Sequence, residues 1–144
     1  MKLTLTIILI TILAIATLDI SAKPKIKVKI TENTVSSLIE GLNSNNLGLK
    51  SSSAYMAGEL QLSKAVIPLM RILHQDKNDE MRIAAALALY KIGSPIAIHA
   101  VKQAVRFDDS ERVSKLCANF HGEYLKSHLN DEEINKDAAK TALK

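Results

Sequence analysis

The segment from Met81 to Ile92, MRIAAALALYKI, constrains the fold most. Apart from Arg82 and Lys91, every side chain in it is apolar. A helix that is apolar all round has to be covered all round. At this length, and this rich in alanine, it cannot span a bilayer. It therefore belongs in the middle of a stack of other helices.

Diverged copies of the segment lie on either side of it. Leu49, Met81 and Val113 stand 32 residues apart, and so do Ser53, Ala85 and Cys117, then Met56, Ala88 and Phe120, then Leu60, Ile92 and Tyr124. Equivalent positions carry equivalent character, which is the mark of a stacked supersecondary unit. The residue is small at every copy of the second set, as needed where one helix lets a neighbour's backbone approach. Periodicity of 3.6 places helices over about Thr31 to Leu42, Leu49 to Leu60, Lys64 to Leu73, Met81 to Ile92, Pro95 to Arg106 and Glu111 to Leu125. Val35, Leu38, Ile39 and Leu42 form the buried stripe of the first, with Thr31 or Asn33 able to cap it. Pro68 is expected to bend the third helix. Gly93-Ser94-Pro95 stops the fourth.

Composition agrees. The chain has 144 residues, room for one domain, and 47% of them are apolar. Aromatics are only 3%, so the core is built from Ala, Leu, Ile and Val, which favours helices over a sandwich or barrel. The net charge of +4 is too mild to argue for nucleic acid. A single cysteine, Cys117, rules out an intramolecular disulfide.

The ends differ from the middle. Met1-Lys2, an apolar run from Leu3 to Leu18, and small Ser21 and Ala22 have the layout of a secretory signal, with cleavage expected after Ala22. Retention of Leu3 to Ile20 as an anchor is the competing reading. The chain is thus expected to be periplasmic or secreted, and off the membrane once cleaved. Residues 23–30, KPKIKVKI, alternate lysines with Pro24, Ile26, Val28 and Ile30. They read as an extended basic leader, or as an arm touching an anionic membrane surface. The repeat domain is placed at residues 31–126. Residues 127–144 are polar and read as a marginal last helix or a disordered tail.

Leu-Lys-x-x-Ser-Ala-Tyr-x-x-Gly-Glu-Leu at Leu49 to Leu60, Ala-Val-Ile-Pro-Leu-Met at Ala65 to Met70, and Met-Arg-Ile-Ala-Ala-Ala-Leu-Ala-Leu at Met81 to Leu89 carry a resemblance. The chain resembles HEAT-like repeats of bacterial secreted and phycobilisome lyase-type proteins. That resemblance implies an all-α, right-handed α-solenoid of about three helix pairs, with the second helix of each pair on the concave side. It further implies a ladder between repeats, built from an Asp in the turn of each pair and an Arg or Lys six positions later. Asp76 and Arg82 match the pattern; Lys50 has Ser44 in place of its Asp, and Asp108 has Ser114 in place of its base. The ladder is therefore expected to be short.

Little in the chain suggests chemistry. It has no Gly-rich phosphate loop, no nucleophile elbow and no spaced carboxylate pair, so no enzyme, cofactor or small-molecule substrate is expected. Cys117, His121 and His128 fall on one side of the sixth helix if it continues that far, and such a set can hold a soft metal. A core role for Cys117 is the favoured reading. His74 and His99 read as surface residues, and Asp108, Asp109 and Glu111 as capping residues rather than calcium ligands. The expected function is non-catalytic protein binding or assembly through the second helices of the pairs. Lys50, Tyr55, Glu59, Arg82, Lys91, Lys115 and Asn119 are the candidate contacts. A lyase-like accessory that positions a cofactor is the alternative.

Overall fold

The computed structural model describes residues 30–142, with side-chain environments as far as Leu129. The apolar N-terminal run and residues 23–29 of the leader lie outside the described residues, and Ile30 is exposed. Among the described residues the elements are α1 (Glu32–Leu42), α2 (Leu47–Glu59), a 3-10 turn (Ser63–Ala65), α3 (Val66–Gln75), α4 (Asp79–Ile92), α5 (Pro95–Phe107) and α6 (Glu111–Ala142), with no strand. The helices form two rows. α1, α3 and α5 neighbour one another in the first row, and α2, α4 and α6 in the second. These three helix pairs make the all-α solenoid that the resemblance implies.

Side chains cap four of the helix starts, whereas α3 opens from the 3-10 turn with no side-chain cap. Asn46 and Asn78 cap α2 and α4, their side chains accepting from the Leu49 and Glu80 amides. Thr31 caps α1 and Ser94 caps α5, with Pro95 at the first helical position, where its missing N–H is no loss. The other ends follow the repeat too. Gln61 and Gly93, 32 residues apart, both adopt left-handed φ, +47° and +67°. After α2 this closes a Schellman motif, in which the Leu62 amide donates to the Ala57 carbonyl and the Gln61 amide to that of Gly58. Gly93→Ala should destabilise the protein by about 1 kcal/mol, because an L-residue resists that conformation. Urea unfolding measures it.

Position 125, the next in this series, is Leu, and no glycine or proline follows it closely. The helix accordingly does not stop there. α6 continues through Ala142, beyond residue 127. Pro68 differs from expectation as well. The 3-10 turn over Ser63–Ala65 delays the start of α3 to Val66, which puts Pro68 in the first turn, among amides that lack helical partners anyway. No bend is required of it.

α4 packs against α2, α3, α5 and α6, as an all-round apolar helix must. Met81, Ala85, Ala86, Ala88 and Leu89 are buried on it. The small positions Ser53, Ala85 and Cys117 are buried in all three copies, and glycines mark two further close approaches. A Cβ on Gly41 of α1 would lie 2.0 Å from Ser53 Oγ of α2, and one on Gly58 of α2 would lie 2.9 Å from Ala88 Cα of α4. Leu49, by contrast, is exposed, on a helix with a second-row neighbour on one side only.

Candidate functional site

The turn inside each pair is built from a polar residue two positions before the residue that precedes the second helix. The Asn46, Asn78 and Ser110 amides donate to Ser44 Oγ, Asp76 Oδ1 and Asp108 Oδ1 at 3.1, 3.0 and 2.9 Å. Ser44 thus performs the turn function of the aspartates without their charge. The second carboxylate oxygen is left for the preceding repeat. Lys50 Nζ lies 2.8 Å from Asp76 Oδ2, and Arg82 holds both oxygens of Asp108, at 3.0 and 2.9 Å. Arg82 also donates to the Asp76 carbonyl and to Asp79, and the Ser110 hydroxyl donates to Asp79.

This corrects the sequence-based view of the ladder. A base pairs with the aspartate of the next repeat, so Lys50 needs no Asp at position 44, and its rung is intact. Three repeats have two junctions, and both are bridged. Ser114, at the third base position, donates to the Val105 carbonyl instead. Lys50 and Arg82 are consequently consumed by structure, with the Arg82 and Asp108 side chains only 13% and 6% exposed. Neither is a free contact for a partner. The Asp108 hydrogen bond holds the Arg82 guanidinium even more firmly protonated than usual.

The ladder gives the fold an acid-sensitive side. Burial alone would raise the Asp76 carboxyl, but the Lys50 hydrogen bond, backed by the Asn78 amide, outweighs it and leaves the group below its usual range. A carboxylate with a depressed folded-state pKa contributes stability above its unfolded pKa, and that contribution is lost as pH falls through the folded value. Unfolding followed between neutral pH and strong acid should therefore show stability falling below about pH 4. Asp76→Asn should be less stable at neutral pH and should show a shallower acid decline.

Of the remaining candidates, three come together on the open face of the second row. Tyr55 of α2 is 54% exposed, and Lys91 Nζ of α4 sits 4.9 Å from its ring centroid. Lys91 also pairs with Glu59. Its hydrogen bond, and secondarily that of the Tyr55 hydroxyl, keeps the Glu59 carboxyl below the usual range. Between α2 and α4, Tyr55 and Lys91 rim a hollow of about 180 Å³, bounded also by Ser51, Ala84, Leu87 and Ala88. Ala84 and Ala88 are short enough to leave the depression open, and Leu87 gives it an apolar wall.

Lys115 and Asn119 are exposed on α6, and Lys115 pairs with Glu111 of the same helix. They occupy the same rows as the hollow. The 32-residue period aligns Ser51, Ile83 and Lys115, then Tyr55, Leu87 and Asn119, then Glu59, Lys91 and Glu123. Leu87 and Ala84 are not among the polar candidates, yet both line the hollow, and Leu87 is in register with Tyr55.

The cysteine and histidines divide differently. Cys117 is fully buried, and burial, with a lesser push from Asp108, raises its thiol to about 11, so it is a protonated core residue at neutral pH. His128 lies exposed against Tyr124, its Nδ1 3.0 Å from the Tyr124 carbonyl oxygen. No group of three or more His, Cys, Asp or Glu able to hold a metal occurs among the described residues.

The family model for HEAT repeats matches residues 35–119, from the buried Val35 of α1 into the first third of α6. No curated protein matches the chain significantly.

Proposed function

The chain belongs to the HEAT-repeat family, and we propose that it is an exported, non-catalytic scaffold that seats a segment of a partner protein between α2 and α4. HEAT repeats generally serve as protein-interaction scaffolds. The observation that supports this reading is the hollow beneath Tyr55. An exposed aromatic ring, an apolar floor and an ion-paired lysine at the rim make a small anchor pocket of the kind that carries binding energy at protein interfaces. An aliphatic or aromatic side chain of the partner enters against Leu87, while Lys91 and Glu59 contact the backbone around it. Export rests on the layout of residues 1–22.

A photo-crosslinking residue in place of Tyr55, in the full chain expressed in its own host, tests both parts. One protein should be captured, in the envelope or the medium. Capture should drop at least tenfold when Ala84→Leu fills the hollow. Equal capture by the filled variant, or a captured protein from the cytoplasm alone, would contradict the reading.

A further inference from the structure

The first row presents a surface that the second row does not. From Ser63 to Gln75 and from Ser94 to Phe107 the chain contains no Asp or Glu, yet it contains Lys64, which pairs with Glu32 of α1, and Arg71, Lys102 and Arg106. These two stretches are α3 with its 3-10 turn and α5 with its cap, which lie side by side. Their exposed residues fall in single stripes: Ile67, Arg71 and His74 on α3, and Ile96, His99, Lys102 and Arg106 on α5. Both stripes point away from the second row, since each helix buries its opposite side against α4 or α6. Apolar side chains stand among the cations. Ile67 is 59% exposed, Ile96 52%, and Phe107, at the end of α5, 74%.

A solubilising surface mixes both signs of charge and keeps isoleucine inside. This one does neither. Cations of one sign draw the face toward an anionic plane, and aliphatic and aromatic side chains at the same level enter the boundary between headgroups and acyl chains. Nucleic acid would use the cations but would leave Ile67 and Ile96 without a role, because phosphate contacts are made by charged and polar groups. We propose that the α3–α5 face docks on an anionic phospholipid surface, with Arg71, Lys102 and Arg106 on the headgroups and Ile67, Ile96 and Phe107 dipping below them. The second row and its hollow then face away from the lipid. This revises the expectation that the processed chain stays off membranes, and it stands whether or not the hollow binds a partner.

The test uses the full chain with a polarity-sensitive fluorophore on Ile96→Cys, and as control on Ser52→Cys of the second row; buried Cys117 is not labelled. On vesicles of phosphatidylcholine with phosphatidylglycerol the label at position 96 should shift to an apolar signal and be quenched by lipid-borne quenchers. The label at position 52 should remain aqueous, and vesicles of phosphatidylcholine alone should give neither effect. Adding Arg71→Glu, Lys102→Glu and Arg106→Glu together should reduce the lipid-embedded fraction at position 96 by about tenfold or more. All these residues are exposed or half-exposed on the outer face, and an unchanged circular dichroism spectrum verifies the fold. Embedding that persists in the charge-reversed chain, a label at 96 that stays aqueous on anionic vesicles, or an equal response to duplex DNA would each overturn the proposal.

Discussion

Arg82→Ala should destabilise the protein by about 3–5 kcal/mol, the cost of stripping one partner from a buried ion pair. The guanidinium is nearly out of solvent and the Asp108 carboxylate more so. Two parallel N–H···O bonds join them, and further bonds reach the Asp76 carbonyl and Asp79. Removing Arg82 leaves Asp108 charged, buried and supported chiefly by the Ser110 amide, while the Asp76 carbonyl loses a donor. Asp108→Ala should cost a similar amount for the converse reason. The double variant should cost much less than the sum, because neither charge is then left alone. Lys50→Ala should cost less than Arg82→Ala, since Lys50 makes one bond to Asp76 where Arg82 makes four. Urea denaturation of the four variants measures all of this. A loss under about 1 kcal/mol for Arg82→Ala would put the ladder with surface ion pairs.

The second large effect is steric. Ala85→Leu should cost about 1–3 kcal/mol, because a fully buried small residue where helices close on one another has no room for a larger side chain. Gly58 gives the same seam a finer probe. An added Cβ meets the Ala88 backbone at 2.9 Å, so Gly58→Ala should lose stability despite a helix-propensity gain of about 1 kcal/mol. Gly122→Ala should gain stability, since its Cβ would meet nothing within 4 Å. The same chemical change with opposite signs separates packing from propensity. An Ala85→Leu variant as stable as the parent would mean that α4 does not bury this face.

Much of this architecture was legible because the repeat states each rule more than once. The small set Ser53, Ala85 and Cys117 located the buried seams, and the all-apolar Met81 to Ile92 located the central helix. Other features depend on geometry that spacing alone does not supply. Lys50 looked orphaned because its partner, Asp76, lies in the next repeat rather than six residues upstream. Pro68 looked disruptive because the 3-10 turn that shifts the start of α3 leaves no mark in hydrophobic periodicity. The run-on of α6 was readable in principle, since Leu125 occupies the position where Gln61 and Gly93 end their helices, but the thin apolar stripe beyond it obscured the point. At the candidate site, Tyr55, Glu59 and Lys91 converge as an exposed cluster. Lys50 and Arg82, which look like equally available charges in sequence, are the ladder itself.

Amide hydrogen exchange across α4 tests the stack most directly. With neighbours in both rows, Ile83 to Tyr90 should exchange more slowly than any other stretch, at rates approaching those of global unfolding, while Glu32–Leu42 opens sooner. Exchange over Ile83 to Tyr90 as fast as in α1 would contradict a shielded central repeat, and with it the arrangement that forms the hollow under Tyr55.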